Sequence, residues 1–234
     1  MSKLLNVSSS PHVRCGVSTK NLMYDVAIAM LPATIWGVMQ FGIYSLIVVV
    51  ATVLSCVLSE YLFETLMHKP VTISDGSALV TGMILGLNMP PAIPLWMPIL
   101  GGVFAIIVVK QLYGGLGQNW MNPALAARCF MLISFAQAMT KFTDPVTDAV
   151  ASATPLAAIK AGDTYDLAAM FIGKIPGTIG EVSVIALLIG AAYLLVKKVI
   201  TIRIPAAYIL SFAVFAFIFG QHNINYVLAE VCGG

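Results

Sequence analysis

The chain has 234 residues, of which 59% are apolar and only 9% charged. A soluble domain carries about a quarter charged residues, so this composition indicates an integral membrane protein and excludes an ordinary soluble enzyme. The net charge of +2 comes without a basic run or an aromatic-interleaved basic patch, which leaves nothing to bind nucleic acid. Cys15, Cys56, Cys129 and Cys232 are far apart, form no CxxC pair and have no histidine at ligand spacing. A disulfide framework and a metal site made by this chain alone are therefore not expected.

Residues 1–21 are polar and basic, with Lys3, Arg14 and Lys20, and show no pattern of a cleavable signal; they read as a cytoplasmic tail. Leu22 to Phe41 predicts a first membrane span with Asp25 near its start and a kink at Pro32. Tyr44 to Phe63 predicts a second. Its far end carries Glu60, Glu64 and His68 at i, i+4 and i+8, hence on one helix face. That trio reads as a solvated helix end at headgroup level, where polar residues are cheap, with an ion-handling face as the alternative.

The apolar run Ser77 to Met89 has thirteen residues. At about 1.5 Å per residue it is too short to cross roughly 30 Å of hydrocarbon as a straight helix. Ser74 and Asp75 can cap its start, and Pro90-Pro91 ends it. Leu95 to Tyr113 predicts a full span. Gly114, Gly115 and Gly117 then form a turn too glycine-rich for regular helix, and Asn122-Pro123 opens another helix with a cap followed by proline. Irregular backbone at membrane depth is tolerated only where it is buried in protein or lines a cavity. Short or broken helices of this kind build binding sites near the midplane of transport proteins. Asp75, Thr81, Asn122 and Arg128 are the candidates there for an ion path or a second ligand site. Arg128, inside a helix, must face protein, water or a partner rather than lipid.

Residues 140–178 are the one long polar segment, and residues 179–234 contain two further predicted spans, Ile179 to Val196 and Ile204 to Gly220. Within the polar segment Thr154 precedes Pro155 and the helix formers Leu156, Ala157, Ala158 and Ile159. On these residues alone Thr154 is a helix N-cap with proline at the first helical position. With the N-terminus inside, eight of the lysines and arginines fall on the cytoplasmic side: Lys3, Arg14, Lys20, Lys69, Lys110, Lys197, Lys198 and Arg203. Three, Lys141, Lys160 and Lys174, fall outside. This bias predicts an extracytoplasmic Thr154 loop.

No Ser/His/Asp or Cys/His set is visible, and no catalytic residue is assigned. The GGLG stretch has neither the length nor the context of a dinucleotide fingerprint. Asn122-Pro123-Ala124 is similar to the box at the half-helix tips of water channels, but those folds need two copies and this chain has one.

Three ordered stretches carry a wider resemblance: SDGSALVTGMILGLNMPP, KQLYGGLGQNWMNPALAARCFMLISF, and SATP in the polar segment. Together they resemble the family that unites the RnfD component of the Rnf complex with its counterpart in the sodium-pumping NADH:quinone reductase. The likeness runs over essentially the whole chain, and the short N-terminal tail is similar to the Rnf member. The resemblance implies an all-α, urea-transporter-like bundle of two five-helix inverted repeats. The first repeat would occupy residues 22–139, residues 140–178 would form the outer loop, and residues 179–234 would begin a second repeat that is incomplete in this chain.

The resemblance also implies an FMN joined by a phosphoester bond to Thr154 and installed by a dedicated flavin transferase. The transferase pattern is matched at Asp148, Ala153 and Thr154, next to Pro155. It departs at Ala151, where Ser or Thr is usual, and at Ser152, where Gly is usual. Some members hold a riboflavin as well. An N-cap threonine suits the phosphoester physically, because the free N–H groups and the positive end of a helix favour negative charge by about 0.3–1 kcal/mol.

The implied role is a multi-pass component of a bacterial or archaeal plasma-membrane complex that couples ferredoxin–NAD electron flow to Na⁺ or H⁺ export. The chain would relay electrons through its flavin and be catalytically incomplete by itself. Implied partners are another membrane component with covalent FMN, iron–sulfur and NAD-binding subunits, and lipid. A passive channel or transporter for a small solute, of the urea or ammonium-transporter type, is the competing class. It would have no use for a flavin-transferase motif.

Overall fold

The computed structural model describes residues 18–143, 150–151 and 171–219, together with 227 and 231. The regular elements of the described residues are helical apart from one two-residue strand pair. Helix α1 (Thr19–Phe41) and helix α2 (Ile43–Leu66) form an antiparallel pair joined at Gly42. A 3-10 turn (Ile73–Asp75) leads into α3 (Ser77–Leu87). Helix α4 begins as Trp96–Val103, widens into a π segment over Phe104–Lys110 and tightens into a 3-10 turn at Gln111–Tyr113. Helices α5 (Pro123–Ser134) and α6 (Ala136–Met139) lead to strand β1 (Phe142–Thr143), which pairs antiparallel with β2 (Val150–Ala151), Phe142 opposite Ala151. Helices α7 (Val184–Val196) and α8 (Arg203–Phe219) follow.

Three of these are long and apolar enough to cross a membrane: Thr19–Phe41, Ile43–Leu66 and the composite Trp96–Tyr113. The first two match the expected spans within three residues at each end. The third is expected as a regular helix and is instead wound in three ways. The span expected from Ile179 starts as helix only at Val184, where the Ser183 side chain accepts a hydrogen bond from the Ala186 N–H. Residues 178–182 before it are irregular, and Thr178, Ile179 and Val182 are buried.

These irregular residues complete α3. An eleven-residue helix leaves its last carbonyls unpaired inside the bundle, where no water can take them. Gly180 N–H donates to the Leu87 carbonyl at 2.8 Å and Ile179 N–H to the Met89 carbonyl at 3.1 Å. The Asn88 amide donates to the Ile84 carbonyl. Helix α3 thus ends at Leu87, ahead of Pro90-Pro91, and a segment ninety residues downstream satisfies that end.

Packing is set by small residues. Gly82 and Gly86, four apart on α3, turn the same face to α2; a Cβ at Gly82 would stand 2.6 Å from the Val53 Cα, and one at Gly86 3.0 Å from the Val49 Cα. Small residues at this spacing let helix backbones approach closely enough for dispersion to hold them, since lipid offers no hydrophobic drive between helices. Gly37 on α1 lies against the Ile179 carbonyl, and Gly190 on α7 against the Ala29 carbonyl of α1. The central core, Val48, Leu85, Met89, Ile93, Ala105, Ala127 and Met131 among others, forms where α2, α3, α4 and α5 meet.

Gly82→Ala is expected to destabilise the fold by about 1–3 kcal/mol, because backbone rather than a movable side chain occupies the space its Cβ needs. Chemical unfolding in mixed micelles, followed by tryptophan fluorescence, measures this. A variant as stable as the parent would refute the tight α2–α3 seam.

Candidate functional site

The long α2 helix places Glu60 and Glu64 one turn apart, and the composite α4 brings Lys110 and Gln111 onto them. Lys110 Nζ donates to Glu60 Oε1 at 2.6 Å and to Ser77 Oγ at 2.6 Å. The Gln111 amide donates to both carboxylates, at 2.8 Å to Glu60 and 3.2 Å to Glu64. Glu64 also accepts from the backbone N–H and the hydroxyl of Thr72. Asp75 accepts from the N–H and hydroxyl of Ser77, which caps the start of α3. Glu60 is fully buried, while Glu64 and Lys110 are 2% exposed.

The expectation of a solvated helix end is thus corrected: Glu60 and Glu64 lie inside the bundle, and only His68 is exposed. Sequence periodicity put all three on one helix face, but α2 ends at Leu66 and leaves His68 beyond it at positive φ, while α3 and α4 cover the turns that carry Glu60 and Glu64. Lys110, counted above among the cytoplasmic surface charges, is likewise an internal cation. Glu60 Oε2 has no hydrogen-bond partner among the described residues. Charges this deep persist only because they are paired and hydrogen-bonded.

Beside this network lies a cavity of about 290 Å³ whose polar wall is Ser77, Thr81, Lys110, Asn119 and Asn122. Asn122 caps α5 as its sequence predicts: its Oδ1 accepts from the N–H groups of Ala124 and Leu125 while Pro123 takes the first helical position. That leaves the Asn122 amide free to donate. The Thr81 hydroxyl donates to the Ser77 carbonyl and keeps its lone pairs. Gly114, Gly115 and Gly117 all adopt positive φ, 114°, 96° and 85°, and fold the α4–α5 connection back over this end of the bundle.

Thr81 and Asn122 therefore share one cavity, with Asp75 one residue removed through Ser77. Arg128 is elsewhere. It donates to Asn88 Oδ1 at 2.6 Å and to Glu181 at 3.2 Å, and Thr178 donates to the other Glu181 oxygen. This second cluster sits where α3 breaks. It borders an apolar cavity of about 490 Å³ between α1, α3 and α7 that includes Asn88 and Glu181 in its lining. Asp148, Ser152, Ala153, Thr154 and Pro155 lie outside the described residues; the nearest described position is Ala151 in β2.

Lys110, Gln111, Asn88 and Glu181 escaped sequence reasoning. Lys110 had one usable signal, a lone cation at the end of one apolar run with Glu60 and Glu64 at the end of another.

Removing one partner of a buried ion pair strands the other. Lys110→Met is expected to cost about 3–5 kcal/mol, and the double variant with Glu60→Gln to recover much of it. A double-mutant cycle on unfolding midpoints in micelles checks this, and additive losses would sink the pairing.

Residues 6–234 match the model of the NQR2, RnfD, RnfE family. The chain is 46% identical over 231 residues to the component designated D of the Na(+)-translocating ferredoxin:NAD(+) oxidoreductase complex of Acetobacterium woodii, covering 96% of this chain and 73% of that protein. It is 39% identical over 231 residues to the component of the same designation in the proton-translocating ferredoxin:NAD(+) oxidoreductase complex of Clostridium ljungdahlii, covering 93% and 70%. It is 32% identical over 248 residues to the like-designated component of the ion-translocating oxidoreductase complex of Halorhodospira halophila, covering 90% and 70%. With its helical membrane fold and a family match over nearly its whole length, the chain belongs to the NQR2, RnfD, RnfE family.

Proposed function

We propose that the chain is a membrane subunit of an ion-translocating ferredoxin:NAD⁺ oxidoreductase complex and relays electrons through an FMN held by a phosphoester on Thr154. The observation that carries this reading is the 46% identity to a component of such a complex over 96% of the chain, joined to the SATP sequence at 152–155. Asp148 and Ala153 complete the pattern that a flavin transferase would read. Thr154 followed by Pro155 supports the attachment physically, since a helix start presents free N–H groups to a phosphate.

The second polar site in this reading is the cavity beside Lys110. Its wall offers an ammonium, the free amide of Asn122 and the acceptor hydroxyl of Thr81. That donor and acceptor set fits the polar edge of a non-covalent flavin such as riboflavin, which would supply one- or two-electron chemistry there. Asp75 supports the site through Ser77. Arg128, with Asn88 and Glu181, belongs to the ion path in this reading, at the break of α3. The exported ion is Na⁺ or H⁺, as the names of the Acetobacterium and Clostridium relatives differ in just this.

The bundle is read as an inverted repeat of urea-transporter type. In support, α7 runs antiparallel to α1, with Tyr193 and Lys197 at its end bonded to Asp25 near the start of α1. The positive-inside bias supports a cytoplasmic N-terminus and an outer Thr154 loop in a prokaryotic plasma membrane. Nicotinamide and ferredoxin chemistry falls to iron–sulfur and NAD-binding partner subunits, and another membrane component with covalent FMN is the natural electron partner.

The protein, produced with a flavin transferase and run on a denaturing gel, is expected to fluoresce as a flavin band, and Thr154→Ala to lose that band. No fluorescence in the parent, or its survival in Thr154→Ala, would overturn the reading.

A further inference from the structure

Helix α4 is wound in three ways, and its π segment, Phe104–Lys110, runs for seven residues. π winding is rare and mostly confined to a single turn, so a stretch of this length needs contacts outside the helix to hold it. Those contacts lie at its end. Lys110 Nζ is held by Glu60 and Ser77, each at 2.6 Å, and the next residue, Gln111, donates to Glu60 and Glu64. Four hydrogen bonds, two of them to a fully buried carboxylate, thus fix where the segment stops.

The two ends of the segment differ in freedom. At its entry the Ser55 hydroxyl donates to the Ile99 carbonyl at 2.7 Å, and a Cβ at Gly102 would stand 2.8 Å from Ser55 Oγ. Phe104 stacks there on Phe130, with centroids 4.3 Å apart. The entry is clamped. The exit runs into Gly115 and Gly117, both at positive φ, and a Cβ at either would meet no described atom within 4 Å. Cavities flank the segment as well. One of about 550 Å³ is lined by its Val108 and Val109 and by Leu125, Ala126 and Cys129 of α5. The polar cavity of about 290 Å³ has Lys110 in its wall. A close-packed segment cannot turn, whereas one with open space beside it and a loose exit can.

We propose that Phe104–Lys110 is a two-state element, π-wound while Glu60 holds Lys110 and rewound to α when that pair is broken. A π hydrogen bond spans five residues where an α bond spans four. Rewinding therefore passes one residue's worth of turn to everything beyond it, about 100° and 1.5 Å. With the entry clamped, that turn falls on Lys110, Gln111 and the glycine loop. Lys110 leaves Glu60, and the cationic wall of the polar cavity changes with it. The charge on Glu60 is thereby coupled to whatever occupies the cavity, because both bias the same element. The inference is independent of flavin attachment at Thr154 and goes beyond the function proposed above by assigning the chain a moving part.

The test uses the full chain in micelles with its four native cysteines replaced by alanine. Nitroxide labels go on Leu66→Cys at the end of α2 and Leu112→Cys just beyond the π segment, positions 75% and 63% exposed. A 100° turn on a helix about 10–12 Å across moves a surface side chain by about 8 Å. The parent is expected to show one distance by pulsed electron resonance, and Lys110→Met to show a discrete second distance several ångström away. Glu60→Gln makes the same comparison where Lys110→Met fails to accumulate. Deleting Ile107 removes the extra residue, so that chain is expected to stay at the parent distance when Lys110→Met is added. A broken pair that leaves the distance unchanged overturns the proposal. So does broadening without a displaced peak, or an equal shift in the deletion chain, since either means loosening rather than rewinding.

Discussion

A helix too short to cross the membrane leaves carbonyl groups open at a depth where water cannot satisfy them, and each such group costs several kcal/mol unless protein supplies a donor. Here that helix is α3, and the described structure is arranged around it. Its C-terminal carbonyls are taken by Ile179 and Gly180. Its side is closed onto α2 through Gly82 and Gly86. Its N-terminus is held by Asp75, with Ser77 tied to Lys110. Chain segments about a hundred residues apart thus converge on eleven residues, and loosening any one of the three contacts exposes backbone the other two cannot cover.

The same break separates two groups of charges. At the start of α3 are Glu60, Glu64, Lys110 and Asp75, hydrogen-bonded beside the smaller polar cavity. At its end are Arg128, Asn88 and Glu181, more open and bordering a cavity. A continuous helix would have carried apolar side chains through both levels. Breaking it puts polar groups at both ends of α3.

Some of this was legible in the residues. The long apolar runs fixed α1 and α2, because a span of hydrophobic residues has few other places to go. The shortness of α3 and the Asn122 cap with Pro123 were readable from local chemistry alone, as was the glycine turn at 114–117, which the positive φ angles bear out. The close-packing glycines Gly82 and Gly86 were present as a small-xxx-small pattern but acquire meaning only when α2 is set against them. The motif at 148–155 was legible in the sequence, and all of it except Val150 and Ala151 lies outside the described residues.

The sequence by itself determined the membrane class, the two long spans, the broken third helix and the family, since hydropathy, caps and ordered motifs are local properties of neighbouring residues. Tertiary structure alone decided which charges are internal. Glu60 and Lys110 are fifty residues apart, and neither residue's neighbours say that the other will meet it. Glu64 and His68 look alike at helical spacing in the sequence, yet Glu64 is buried within α2 and His68 lies exposed beyond its end at Leu66. The difference arises because α2 stops at Leu66 while α3 and α4 cover the turns that carry Glu60 and Glu64, and periodicity carries neither.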